Sequence, residues 1–325
     1  MASTSVTPKI THPDIVSFAE SSVNLKREDV QAERSQVNRL REKLADHIAR
    51  NPEFDLVKMF GSGSLAKGTA LKTINDVDVA VYVRSGKAPT DESELLSWMA
   101  DRLRDAYGAT IRRDAIQPGV HAVTISFQGT HLDVDVVPVL YEDDPEWYGN
   151  LVTDNGDQVL TCIPRHLEFI AKRKRAHPVH FRQLIRLVKW WAKQQKAVNP
   201  DFRFKSFMIE LIIAKMFDDG LDGSAYPEAL EKIFSRIATD RLKTRIAFED
   251  YYRASALPSD SSPIQVFDPV NPVNNVASRY DESHRTLIAD AAMSALEAIA
   301  YARYATTKSE SLVQWRKVFG PGFST

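Results

Sequence analysis

The chain is expected to adopt an α+β fold, with a mixed lobe of strands and helices over residues 1–150 facing a helical lobe over 151–325 and a functional cleft between them. Three observations lead to this. Strand-like alternation is confined to the first half, as in Val77 to Val83. From Leu151 onward the apolar residues recur at helical spacing, in segments separated by Pro and Gly. The stretch densest in chemically useful residues, Phe60 to Val83, lies in the strand-bearing half.

Taken in order, Met1 to Leu25 is rich in Ser, Thr and Pro and has little periodicity, so it is expected to drape over the body. Residues 29–50 read as a helix, with Val37, Leu40, Leu44 and Ile48 spaced by three and four, and Asn51-Pro52 ends it. Val57 to Phe60 is the first expected strand, leading into a glycine-rich turn. In Asp76 to Val83 the four valines share one face, and Asp76, Asp78 and Ala80 share the other. Asp91 with Glu94 has capping-box spacing, and Leu95, Leu96, Met99 and Leu103 supply the buried face of the helix that follows. Val120 to Phe127 and His131 to Pro138 both alternate and flank Gly129, so they are expected to form a hairpin. In the second half, helices are expected from Pro178 to about Ala197, from Phe204 to beyond Ile212, over Tyr226 to Ile237 and over Asp281 to Ala305.

Composition narrows the function. Of 325 residues 43% are hydrophobic and 26% charged, as in ordinary globular proteins. A formal net charge of −1 argues against a dedicated nucleic-acid binder, so small substrates are the simpler expectation and nucleic-acid binding is not required. A single cysteine, Cys162, excludes an internal disulfide framework, and His121, His131, His166, His177 and His180 lack metal-ligand spacing, so no zinc site is assigned. No apolar run approaches the roughly 18 residues that cross a bilayer, and Met1 to Val30 lacks a secretory core. A cytoplasmic protein with no membrane partner is expected.

The chemistry concentrates in Phe60-Gly-Ser-Gly-Ser-Leu-Ala-Lys-Gly-Thr69 and the following Asp76-Val-Asp78. Gly61, Gly63 and Gly68 permit close backbone approach to phosphate oxygens, while Ser64, Lys67 and Thr69 add donors. A Gly/Ser turn alone is most often only a turn, and an Asp-x-Asp on a strand is usually solvated surface. Together they form what a magnesium-nucleotide site needs, because Mg²⁺ takes hard oxygen ligands and shares them with substrate phosphates. Asp133 and Asp135 share a face of the next strand. If that strand lies beside the first, Asp135 completes a three-carboxylate set for two metal ions, with Asp133 behind it or simply exposed. Lys172 to Arg175 reads as a solvated basic face, and Trp190 and Trp191 read as core.

Gly63-Ser64 through Gly68-Thr69, Asp76-x-Asp78 and Asp135-x-x-Pro138 resemble the signature of the polymerase β-like nucleotidyltransferases, in particular the branch that holds oligoadenylate synthetase, cyclic GMP-AMP synthase and the bacterial CD-NTases. Leu184 to Trp191, Lys205 to Leu211, Phe267 to Val276 and Trp315 to Gly320 resemble further segments of that branch. The resemblance implies that Gly63 and Ser64 hold a triphosphate, and that Asp76, Asp78 and Asp135 bind two Mg²⁺ ions for which Mn²⁺ substitutes. It implies that Lys189 and Ser206 contact phosphates from the helical lobe, that Phe207 packs where relatives carry Tyr, and that Asp268 and Asn275 lie near the base or shape the turn under it. It implies a cyclic oligonucleotide messenger made from ribonucleoside triphosphates, ATP included, in anti-phage (CBASS) signalling, with a downstream effector and accessory regulators as partners. The alternatives are an RNA-end transferase of the CCA-adding kind and a catalytically silent nucleotide-binding scaffold.

Overall fold

The computed structural model describes residues 9–26, 56–73, 76–84, 86, 88–108, 110–127, 132–153 and 156–325, with scattered positions between 31 and 50. They form two compact units, residues 25–169 and residues 1–24 together with 170–325.

The first unit is built on a sheet of β1 (Leu56–Gly61), β2 (Asp76–Arg84), β3 (Ile116–Pro118), β4 (Val123–Phe127), β5 (Leu132–Tyr141), β6 (Gly149–Val152) and β7 (Gln158–Thr161). The order is β1-β2-β5-β4-β3, with β6 on β5 and β7 on β6. β2 and β5 run parallel and the other pairs antiparallel. The valines explain why β2 and β5 sit at the centre. Val77, Val79, Val81, Val83, Val134 and Val136 are buried together with Leu95, Leu96, Met99 and Leu103 on one face of the sheet. Those leucines and Met99 come from the helix Glu92–Tyr107, whose start is capped as expected by Asp91, accepting the Glu94 N–H at 3.0 Å.

On the opposite face Ala80, Tyr82, Val139 and Tyr141 form a second apolar cluster with Phe60 and Trp147 packed against it. The buried Tyr82 hydroxyl donates to the Trp147 carbonyl at 3.0 Å and accepts the Ile163 N–H at 3.1 Å. Its burial raises the phenol well above its usual range. This end of the face is therefore closed by aromatics, and the aspartate end is left for chemistry.

Two expectations change. Strands β6 and β7 continue the sheet past Leu151, so the first unit reaches Phe169 and not the expected boundary at 150. Four-residue edge strands carry too few alternations to stand out from turn residues in the sequence. Residues 9–24 do not drape but fold into a helix, His12–Phe18, with Ile15 and Phe18 buried, and belong to the helical unit. Phe18 stacks on Phe319 at 5.3 Å between ring centroids, a pairing no local pattern announces. Of the helix expected over 29–50, the described positions 31, 35, 38–39, 42–44, 46–47 and 50 are helical and Leu44 is buried, whereas Val37, Leu40 and Ile48 lie outside the described residues, as does the hairpin turn at Gly129.

Numbering the helices in chain order, with His12–Phe18 as α1, Gly63–Lys67 as α2 and Glu92–Tyr107 as α3, the rest are α4 (Ile163–Ala176), α5 (His180–Val198), α6 (Ser206–Asp218), α7 (Tyr226–Asp240), α8 (Glu282–Tyr304) and α9 (Lys308–Phe319). The expected apolar stripe of α5 is buried, with Trp191 edge-on to Phe202, Phe204 and Phe234. The basic run of α4 is not a plain solvated face. Arg173 is buried and bridges Asp218 and Asp250, and Lys172 joins Asp250 at 2.9 Å. Among the described residues no helix is long and apolar enough to cross a membrane.

Candidate active site

The site begins where β1 ends. Ser62 donates its N–H to the Asp78 carbonyl at 2.9 Å, which pins the glycine loop to β2. Gly63 then takes φ +63° and opens the one-and-a-half-turn helix α2, which Gly68 closes at φ +70°. Gly61, by contrast, is the last residue of β1 and has no positive φ, so only two of the three glycines are needed for their backbone freedom. A Cβ on Gly63 would lie 1.6 Å from Asp78 Oδ2, so the carboxylate of Asp78 rests directly against the glycine backbone.

The register of the central strands supplies the second half. β2 and β5 pair Asp76 with Asp133 and Asp78 with Asp135. Paired residues of parallel strands project to the same side about 5 Å apart, so Asp78 and Asp135 stand side by side. The expected adjacency of the two strands is therefore met. Asp76 occupies the position beside Asp133, two residues before Asp78. Two half-buried carboxylates this close repel one another, and cationic charge between them relieves the repulsion.

Thr124 on β4 pairs with Asp135 and donates its hydroxyl to Oδ1 at 2.7 Å. The sequence reading missed this residue. Its signal was the alternation in Val120 to Phe127, legible only once the hairpin register was known. The half-buried Ser64 hydroxyl makes no hydrogen bond among the described residues, and half-buried Lys67 lies in the last turn of α2. Thr69 is a correction. It is fully buried, and its N–H and hydroxyl both turn back to the Ser64 carbonyl, at 2.8 and 3.5 Å, so it closes the loop and does not face a ligand.

The other expected contacts belong to the helical unit. Ser206 is exposed at the first position of α6 and Phe207 is half-buried next to it. Lys189 was expected to contact phosphates. It is instead buried and pairs with Glu210 of α6 at 2.6 Å, because an ammonium at that depth requires a carboxylate partner. Asp268 and Asn275 shape their turn, one of the two roles the resemblance implied for them. Asp268 accepts the Val270 N–H at 2.9 Å and the Asn274 amide at 3.2 Å. Asn275 spends its whole hydrogen-bonding capacity internally: its oxygen accepts from the N–H groups of Val266 and Ala277, and its amide donates to Asp260 and to the Ile264 carbonyl.

The same architecture is found in Vibrio cholerae DncV cyclic AMP-GMP synthase solved with a linear intermediate, at a TM-score of 0.70 and 14% identity over 97% of each chain. That likeness gives the chain a DncV-like nucleotidyltransferase fold. A model of the Second Messenger Oligonucleotide or Dinucleotide Synthetase domain matches residues 11–166. Over 318 residues the chain is 49% identical to the cyclic AMP-AMP-AMP synthase of Escherichia coli strain MS 115-1, covering 98% of this chain and 99% of the relative. It is 32% identical to the CBASS oligonucleotide cyclase CdnC of E. coli strain KTE188, covering 97% and 98%. E. coli MS115-1 CdnC has been solved with ATP and with HORMA-deltaN. Each structure matches at a TM-score of 0.93 and 49% identity over 98% of this chain, and over 100% and 99% of the CdnC chain respectively. The chain belongs to the CD-NTase family of second messenger oligonucleotide synthetases. This kinship fits a cyclic oligonucleotide synthase, and fits neither the RNA-end transferase nor the silent scaffold.

Proposed function

We propose that the protein joins ribonucleoside triphosphates, ATP among them, into a cyclic oligonucleotide without a template. The observation that carries this reading is the in-register pair Asp78 and Asp135 beside the Gly63 backbone. Full-length similarity to a cyclic AMP-AMP-AMP synthase, and to a CdnC solved with ATP, supports ATP as substrate and a cyclic triadenylate as the product to look for first. The HORMA-deltaN complex of that relative supports a HORMA-type accessory partner here. CBASS signalling through an effector that senses the product follows from the same kinship.

The donor set is all carboxylate oxygen, which fits a hard divalent cation. Asp76, Asp78 and Asp135 would hold two Mg²⁺ ions, with Mn²⁺ as a substitute, and bound metal would neutralise charge on the phosphates and acidify the attacking hydroxyl. The chain's own groups divide the remaining tasks. Gly63 lets the donor triphosphate approach the backbone, and Ser64 donates its free hydroxyl to a phosphate oxygen. The ribose hydroxyl of the acceptor attacks the α-phosphorus, an O–P bond forms, and pyrophosphate leaves. Asp135 takes the hydroxyl proton, held in place by Thr124 at Oδ1. Repetition followed by ring closure gives the cyclic product.

Purified protein incubated with labelled ATP and Mg²⁺ should release pyrophosphate and a product whose mass is a multiple of AMP minus water. Asp76→Ala and Asp78→Ala should each reduce turnover below detection. A fully active double variant overturns the proposal.

A further inference from the structure

Three helices of the helical unit begin at one point. His12 is the first residue of α1, His180 of α5 and Tyr226 of α7. The His12 ring centroid lies 4.1 Å from that of Tyr226 and 6.1 Å from that of His180, and the His180 and Tyr226 centroids are 5.8 Å apart. One polar contact joins α1 to α7: His12 Nδ1 accepts the Tyr226 N–H at 3.2 Å. That N–H is among the donors that the start of α7 cannot satisfy within its own helix, so α1 caps α7 from outside. The His180 Nδ1 is buried beside this contact and has no hydrogen-bond partner among the described residues.

The contact tolerates only one protonation state. A backbone N–H can only donate, so His12 Nδ1 carries no proton and the neutral ring keeps its hydrogen on Nε2. A second proton would have to enter at Nδ1, turning the acceptor into a donor that faces a donor, next to the positive ends of α5 and α7. Burial first, and then His180, hold the His12 imidazole below its usual 6.5, against a smaller pull from Glu228 of α7. The neighbouring charges titrate elsewhere. Hydrogen bonds from Ser224 hold Asp222, beside His180, below 3.8, and burial holds the Tyr226 phenol above 10 against the pull of Arg186. Asp14 pairs with Lys308 of α9 at 2.9 Å; burial pushes its carboxyl up, but hydrogen bonds from Lys308 and Thr11 outweigh it and keep it below 3.8. The far end of α1 is held by Phe18 against Phe319 and Phe323, rings with nothing to titrate.

We propose that the first turn of α1 is an acid-operated latch: a proton taken up at His12 Nδ1 undocks it from the start of α7, while Phe18 keeps the end of α1 in place. The latch is closed while the ring is neutral. As pH falls below 6.5 and through the lower value of the docked ring, protonation favours the open form, in which the imidazolium and the Tyr226 N–H each turn to water. Ile10, buried in the closed form, is the apolar side chain that opening exposes. The device is independent of the nucleotidyltransferase reading, since every group in it belongs to the helical unit.

Hydrogen–deuterium exchange of the full chain tests it. With the intrinsic pH effect on exchange divided out, residues 9–15 and the Tyr226 amide should exchange at least about threefold faster at about pH 5.5 than at about pH 7.5, while α8 keeps one rate. His12→Asn keeps an acceptor close to the Nδ1 position and does not titrate, so its first turn should stay protected at both pH values. His180→Asn removes one cause of the lowered value, so the midpoint of the change should move up towards 6.5. Equal protection of the parent at both pH values overturns the latch, and so does a His12→Asn variant that opens as the parent does. Acceleration of α8 by the same factor also overturns it, because the whole unit would then be opening.

Discussion

Gly63 carries two constraints that no other residue satisfies: φ of +63° and an Asp78 carboxylate oxygen where a Cβ would sit. Gly63→Ala should therefore displace Asp78 or the loop, with pyrophosphate release falling at least tenfold and stability falling by about 1–3 kcal/mol for the strained backbone. Steady-state kinetics and a denaturant melt would check both. Thr124 acts through Asp135, so Thr124→Val should raise the Mg²⁺ concentration needed for half-maximal rate and lower turnover, while Thr124→Ser keeps the hydroxyl and should stay near the parent. A valine variant with the parent's metal dependence would deny Thr124 a positioning role. At this scale the residue types singled out Gly63, Ser64, Asp78 and Asp135 as candidates, and the structure sets Gly63, Asp78 and Asp135 next to one another. It misled at Thr69, because the groups that bind a ligand also build turns, whereas Asp268 and Asn275 take the turn-shaping role that the resemblance had left open to them. Which use a side chain serves depends on its burial and partners, and these lie up to 15 residues away, as Asp260 does from Asn275.

Between elements, α5 and α6 are joined by the buried Lys189–Glu210 pair, with both side chains under 5% exposed. Removing one partner leaves an uncompensated buried charge, so Glu210→Ala should cost about 3–5 kcal/mol. Replacing both, as Lys189→Met with Glu210→Leu, should recover most of that, measured by urea melts of the single and double variants. Such recovery with loss of catalysis would show that the lysine still serves the substrate; recovery of both would make the pair purely architectural. Helix α9 starts with a complete capping box, Thr307 accepting the Glu310 N–H at 3.1 Å, and Thr307→Ala should cost about 1 kcal/mol. Helices and long strands were legible because their periods repeat several times within one element. Strands β6 and β7 were not, since four residues hold only two alternations.

For the whole molecule, the pH dependence of stability follows from groups held away from their ordinary values. Burial pushes the Asp250 carboxyl up, but hydrogen bonds from Arg173 and Lys172 outweigh it and hold it below its usual 3.8. The fold thus favours the carboxylate, a contribution complete above pH 3.8 and lost as pH falls through the depressed folded value. His12 is lowered below 6.5 by burial and by His180, against a smaller opposing pull from Glu228. The fold favours its neutral ring, so that contribution is present above pH 6.5 and fades as pH falls. Melting temperature should therefore be flat above pH 6.5, decline gently below it and steeply below pH 4, in scans at constant ionic strength. His12→Gln should flatten the first limb. Asp250→Asn should lower stability at neutral pH and shrink the acid loss.

By itself the sequence determined the division into a strand-bearing half and a helical half, the glycine loop, and which carboxylates could meet, since these rest on contacts within a few residues and on residue chemistry. Only the tertiary structure decided that Asp78 stands beside Asp135, that Thr124 holds the latter, that residues 9–24 pack with residues 170–325, and that Lys189 is committed to Glu210. Strand register and burial are set by packing between segments far apart in the chain, and a local pattern carries no record of which distant partner wins.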